Sequence, residues 1–269
     1  MILFKAKSCE GYTFKVLSEL LQNSLKECCF ICKPSGIYLV GVDTKYKNGS
    51  KLICLNLIKE KFTIYKLIPT ELKIGINLIH FYKMLKSIKR KDTLTLSIED
   101  DDPNKLIITI EQLGEKNATV KHINLTKIQP VDVNPLDEKM YPDPIIVTSK
   151  QFQKLKDLNK MSKYMNITVD NRIITFYCDK DNIYSSKVVF GEQDEDNEDS
   201  EIYTQSFLTE EIIQLIKVAG LSQTIQIYFV NGLPLKFNLN VGSLGNLTIF
   251  IKSQEELSTM DTQDNNEEE

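Results

Sequence analysis

The chain has 269 residues, 42% apolar and 26% charged, which is enough to bury one large core or two ordinary ones and too apolar for a disordered chain. No apolar run reaches the roughly 18 residues of a membrane helix, and the N-terminus lacks a signal peptide's apolar core and cleavage site, so no membrane partner is expected. Net charge is −4, but seven acids lie in 192–201 and seven in 254–269. Without those fourteen, the other 23 acidic residues face 33 basic ones. Acid runs of this kind read as solvated loops or tails, so the body of the chain is basic enough to meet a polyanion.

The first amphipathic helix is predicted over 14–25, with Phe14, Leu17, Leu21 and Leu25 on one face. Strand CCFIC (28–32), a Pro34-Ser35-Gly36 turn and strand IYLVGV follow. The CxxC at Cys29–Cys32 is read as strand, because residues of opposite parity face opposite ways. No second CxxC exists to complete a zinc site, and six cysteines without export read as reduced thiols. A second helix begins near Asn77, burying Leu78, Phe81, Leu85 and Ile88. Strand TLTLSI, the acidic turn at 99–102 and strand KLIITI follow.

The segment 126–144 (TKIQPVDVNPLDEKMYPDP) carries four prolines, so an extended connector is expected. The plan then repeats. A helix is predicted over 149–161 with Phe152, Leu155 and Leu158 inward, then strands MNITV and IITFYC about an Asp170-Asn171 turn. A fourth helix, LTEEIIQLIKVAG, places Ile212, Leu215 and Ile216 inward. It leads to TIQIYFV, an Asn231-Gly232 dipeptide that suits a type I′ turn, and PLKFNL. The expected division is 1–125, a connector over 126–144, a second domain over 145–253, and an acidic disordered tail over 254–269.

Opposite the apolar faces, the second helix carries Lys83, Lys86 and Arg90. The third carries Lys156 and Lys160, flanked by Lys150 and Lys154. The first carries Lys15 and Lys26, diluted by Glu19, and the fourth Lys217, diluted by Glu210. One such face merely solvates a helix; matching faces in a repeat suggest a shared anionic partner. Lysine suits phosphate contacts, which carry no sequence information, and only two arginines are present for reading bases. No Gly-rich phosphate loop, metal set or nucleophile–base pair is apparent, so no enzyme activity and no cofactor are expected. His80 and His122 read as local hydrogen-bonding groups, and Asp100–Asp102 as a solvated hairpin tip without the spacing of a calcium loop.

The stretches INLIHFYKMLKSIKRKDTLTLSIEDDDPNKLIITI, LSQTIQIYFVNGLPLKFNLNVGSLGNLTIFI and SGIYLVGVD, in that ordered arrangement over roughly residues 1–256, resemble the proliferating cell nuclear antigen family of eukaryotic and viral sliding clamps. The resemblance implies an α+β clamp fold of two similar domains, with antiparallel sheets outside and four helices lining a homotrimeric ring around double-stranded DNA. It places Lys15, Lys83, Lys86, Lys154 and Lys217, and more loosely Lys156, toward the DNA, and the helical wheels add Arg90 and Lys160 to that face. It implies a pocket for PIP-type peptides of DNA polymerase, flap nuclease and ligase at Val42, Ile128, Pro130, Val131, Leu136, Pro234, Phe250 and Ile251, and a clamp loader as a further partner.

The strands that pair between subunits would be Ala118–Asn124, with Ala118, Val120 and Lys121, and 182–188, with Ile183, Ser185 and Lys187. The two lysines read as charges that discourage stray edge pairing. The implied location is the nucleus or a cytoplasmic viral replication site. Where this chain departs from the family, it has a proline-richer connector, an extended loop at 44–50 and Lys252-Ser253 after the last strand. A monomeric clamp-fold DNA-binding accessory protein and a nucleic-acid enzyme are the alternatives.

Overall fold

The computed structural model describes residues 1–43, 49–114, 117–131, 133, 140–191 and 202–259. The chain divides into two compact units. The first holds Met1–Val42, Ile53–Asn134 and Asn240–Leu247; the second holds Asp43–Leu52, Pro135–Leu239 and Thr248–Glu269.

The first unit contains strand β1 (Ile2–Ser8), helix α1 (Gly11–Ser24), β2 (Glu27–Lys33), β3 (Gly36–Val42), most of β4 (Lys51–Ile58), β5 (Ile64–Leu67), β6 (Leu72–Asn77), α2 (Leu78–Leu85), β7 (Thr93–Glu99), β8 (Asp102–Glu111) and β9 (Ala118–Asn124). One sheet runs β5-β1-β7-β8-β9, and β4-β3-β2-β6 lie side by side in another. The second unit contains β10 (Ile145–Thr148), α3 (Ser149–Phe152), β11 (Tyr164–Asp170), β12 (Ile173–Lys180), β13 (Tyr184–Phe190), β14 (Tyr203–Leu208), α4 (Thr209–Gln214), β15 (Thr224–Tyr228), most of β16 (Leu235–Asn240) and the later part of β17 (Gly245–Ile251). Its strands run β13-β12-β11-β14 and β10-β15-β16-β17.

Both units follow one plan, as the repeat in the sequence suggests. The strand before the first helix pairs with the strand after the second helix. The hairpin after the first helix is flanked by its own third strand and by the strand that leads into the second helix. The pairs β1–β7, β7–β8, β8–β9, β2–β6, β11–β12 and β11–β14 are antiparallel.

The expected apolar stripes form the cores. Leu78, Phe81, Leu85 and Ile88 are buried, as are Phe14, Leu17, Leu21 and Leu25, and Phe152, Leu155 and Leu158. At about 25 cal/mol per Å² of apolar surface removed from water, each large side chain so placed contributes roughly 1.5–3 kcal/mol. In the second unit Phe152 meets Phe176 and Phe237 edge to face, with ring centres 6.3 and 6.0 Å apart. Asn77 caps α2 by accepting from the His80 N–H at 3.1 Å. Thr148 and Gln151 form a capping box at α3.

Four expectations need correction. The third and fourth helices are α-helical for four and six residues only, and continue as 3-10 turns over Gln153–Leu158 and Leu215–Gly220. The tighter winding leaves Ile216 half-buried while Leu215 and Val218 face the core. The type I′ geometry lies at Asn171-Arg172, both at positive φ between the paired Asp170 and Ile173. At Asn231-Gly232 only the glycine has positive φ, because a six-residue connection between β15 and β16 does not demand a two-residue turn.

The tail is not disordered from residue 254. Residues 254–259 are helical, and Ser253 and Glu256 bond reciprocally: Ser253 N–H donates to Glu256 Oε2 at 2.7 Å, and Glu256 N–H to Ser253 Oγ at 3.2 Å. The acid run conceals a Ser-x-x-Glu capping box. Finally, the edge strand expected at 182–188 begins at Tyr184, because Asp181 and Asn182 take left-handed turn conformations. The acidic run 192–201, loop residues 44–48 and Leu136 lie outside the described residues.

Candidate nucleic-acid interface and partner surface

In the first unit, helices α1 and α2 pack together and bring their basic residues to one place. Lys83, Lys86 and Arg90 are exposed. Lys15 is half-buried, and its ammonium donates to the Ile88 carbonyl at 3.2 Å. Tyr12 stands between a cation of α1 and one of the turn that follows α2: Lys15 Nζ is 5.5 Å and the Arg90 guanidinium 5.7 Å from its ring centre. That arrangement holds two like charges close without direct contact, through the negative face of one ring. Sequence reasoning did not single out Tyr12; its spacing of three from Lys15 on a helix was the available signal.

In the second unit Lys154, Lys156, Lys160 and Lys217 are exposed. Lys160 has φ of 62°, a left-handed residue that ends the segment. Each unit therefore presents exposed cations, but most do not lie on the α-helices that the wheels suggest: Lys83 lies within α2, Lys86 and Arg90 follow it, Lys154, Lys156 and Lys217 lie in 3-10 turns, and Lys160 follows one. An exposed lysine keeps its hydration until phosphate arrives, which suits contact without sequence reading.

The residues expected to pair between subunits fall on sheet edges. Strand β9 ends one sheet of the first unit and β13 ends one sheet of the second. Ala118 and Val120 are exposed on β9, and Ser185 and Lys187 on β13. Ile183, 78% exposed, sits in the turn before β13 and not in the strand. Lys121 does not guard its edge. Its ammonium turns onto the end of α2, donating to the Met84 carbonyl at 2.6 Å and Ser87 Oγ at 2.9 Å. Carbonyls at a helix C-terminus attract a cation more strongly than open water does.

The expected partner-peptide positions are described unit by unit. In the first unit Val42 ends β3, half-buried. Thr126 N–H donates to the Gly75 carbonyl at 3.0 Å, so the connector leaves along β6. A Cβ at Gly75 would lie 2.0 Å from the Thr126 oxygen, so this approach requires glycine. Ile128 and Pro130 are half-buried there, and Val131 is 39% exposed. In the second unit Phe250 and Ile251 are buried in β17, and Pro234 is half-buried before β16.

Sequence reasoning missed Tyr141. Its hydroxyl donates to the Pro234 carbonyl at 2.9 Å, and its ring lies 6.3 Å from Phe250. Burial, then the charge of Glu256, pushes its phenol pKa up. Burial likewise raises the Glu256 carboxyl, partly offset by its bonds to Ser253.

The thiols of Cys28 and Cys32 are buried, and burial drives both well above the ordinary thiol range. No group of three or more metal-ligating side chains occurs among the described residues. Asp100–Asp102 are exposed at the β7–β8 turn, where Asp102 pairs with Lys105. No described helix is long and apolar enough to cross a membrane.

Two family models match the chain in order. The model of the proliferating cell nuclear antigen N-terminal domain covers residues 3–134, and that of the C-terminal domain covers 136–254. The chain is 25% identical over 260 residues to the probable DNA polymerase sliding clamp 1 of Paramecium bursaria Chlorella virus 1, covering 93% of this chain and 96% of that one. It is 24% identical over 258 residues to the proliferating cell nuclear antigen of Chaetomium thermophilum and 24% over 257 to that of Saccharomyces cerevisiae. Each of those alignments covers 93% of this chain and 97% of the relative.

Proposed function

The chain belongs to the proliferating cell nuclear antigen family, and on that premise we propose that it is a DNA sliding clamp: a non-catalytic subunit of a homotrimeric ring that encircles duplex DNA and holds a replicative polymerase on it. The observation that carries this reading is the pair of exposed cationic faces, Lys83, Lys86 and Arg90 in one unit and Lys154, Lys156 and Lys160 in the other, in a chain of net charge −4. Contacts of that kind attract phosphate at any position along the helix axis and so permit sliding. Lys15 and Lys217 complete the DNA-facing set. The edges β9 and β13 supply the joints between subunits, through Ala118, Val120, Ser185 and Lys187 with Ile183 beside them.

Partner proteins, with a clamp loader among them, engage through short peptides. The residues assigned to that contact are Val42, Ile128, Pro130 and Val131 of the first unit and Pro234, Phe250 and Ile251 of the second. The connector over 126–144 is the segment that such a peptide would meet. The protein acts wherever replicating DNA is found.

The test is molar mass in solution together with DNA synthesis on a primed circular template. A trimeric mass, longer products when the protein is loaded, and loss from linear DNA but retention on DNA with blocked ends are expected. A stable monomer at micromolar concentration that stimulates no polymerase would overturn the reading.

A further inference from the structure

On the second unit's β15–β16 ladder, Gln226 pairs across from Asn238 and Tyr228 across from Lys236. These side chains share the face away from the Phe237 and Ile227 core. The first row satisfies itself: Asn238 Nδ2 donates to Gln226 Oε1 at 3.0 Å, and Thr248 Oγ1 lies 3.3 Å from Asn238 Oδ1. The next row holds Tyr228, Lys236 and Phe250. A lysine on such a face ordinarily lays its stem on the sheet and keeps its ammonium in water. Lys236 is only 2% exposed. Its Nζ lies 4.5 Å from the ring centre of Tyr228, 5.1 Å from Tyr141 and 6.0 Å from Phe250.

Three rings thus box one ammonium. Among the described residues, these rings are the only groups recorded against the Lys236 ammonium. Glu256, the carboxylate whose charge reaches Tyr141, is tied to Ser253. Ring faces offset part of the cost of holding a cation in apolar surroundings, but a ring face gives its N–H donors no carboxylate or carbonyl acceptor. A carboxylate brought beside it would form a charge-assisted hydrogen bond strengthened by the apolar surroundings. Pro234, two residues earlier, is half-buried and its carbonyl already holds Tyr141.

We propose that Lys236 sets partner choice: the surface bearing Pro234 and Phe250 takes peptides that carry a carboxylate beside an aromatic anchor, and that carboxylate pairs with the boxed ammonium. The inference rests on the reading that Pro234 and Phe250 receive partner peptides, and it adds a charge requirement to an otherwise apolar contact.

The test uses the full chain and two labelled synthetic peptides identical except for Glu or Gln next to a pair of aromatic residues, read by fluorescence anisotropy. The Glu peptide binds about tenfold tighter than its Gln counterpart, and the difference shrinks as salt rises. Lys236→Met binds both peptides equally, near the wild-type affinity for Gln, while Lys236→Arg keeps the preference. A thermal melt reports whether each variant is folded; if Lys236→Met does not fold, the wild-type comparison of the two peptides decides. Equal affinity of wild type for Glu and Gln overturns the charge requirement and leaves peptide binding standing. Failure of wild type to bind either peptide overturns both together.

Discussion

Lys51, at the start of β4, and Glu211, in the first turn of α4, form an ion pair in the second unit with side chains 0% and 2% exposed. Lys51 Nζ also donates to Gln214 Oε1 at 3.1 Å, and Gln214 Nε2 donates to Glu210 Oε1 at 3.0 Å. Two ions taken from water recover their desolvation cost only through each other and through such bonds. Removing one partner leaves the other buried without that opposite charge, at a cost of about 3–5 kcal/mol, a large share of the ~5–15 kcal/mol that holds a typical domain folded.

Lys51→Met and Glu211→Leu are therefore each expected to destabilise by that amount. The double variant replaces both charges with apolar groups and is expected to return to within about 1 kcal/mol of the parent, or to exceed it. Urea unfolding followed by circular dichroism measures all four proteins, and a double-mutant cycle extracts the coupling. Single variants that cost less than ~1 kcal/mol, or a double variant equal to the sum of the singles, would show that the pair is hydrated and refute the reasoning.

Reversing Lys83 and Lys86 to Glu should leave the melt unchanged, since both side chains are exposed. It should lower the slope of log affinity for duplex DNA against log salt by about two, as two phosphate contacts are lost; an unaltered slope would remove both residues from the DNA face. Brief iodoacetamide treatment of the native protein should label exposed Cys9 and spare Cys28 and Cys32, whose burial raises their thiols. Peptide mass mapping reads this, and labelling of Cys28 or Cys32 in folded protein would contradict their burial. The Glu111 carboxyl is held below its ordinary range by the Lys7 ammonium at 2.6 Å and the Thr93 hydroxyl at 3.0 Å. A depressed folded value contributes stability above the unfolded carboxyl pKa of about 4.3, and that contribution fades as pH falls through the folded value. Glu111→Gln should flatten the fall of the urea midpoint in that acid window, by a small amount because Glu111 is 43% exposed; an unchanged pH profile would sink the assignment.

The chain's periodicities were enough to place both cores. A stripe at helical spacing such as Leu78, Phe81 and Leu85, or an alternating strand such as β12, states its own buried face, because that pattern is local. The duplication and the cationic residues in and after α2 and α3 were legible for the same reason, whereas the edge strand β9 was expected only from the family resemblance. The fates of particular charges were not. Lys121 reads as an edge guard until α2 offers its carbonyls. Nothing local to the strand PLKFNL marks Lys236 as the lysine that Tyr141 and Phe250 cover. Lys51 carries no hint of Glu211, and residues 254–259 read as the start of a solvated acid tail until Glu256 bonds back to Ser253. In each case the deciding neighbour comes from outside the residue's own pattern. A charge is settled by the dielectric and the hydrogen-bonding groups around it, which exist only once separate segments have packed together.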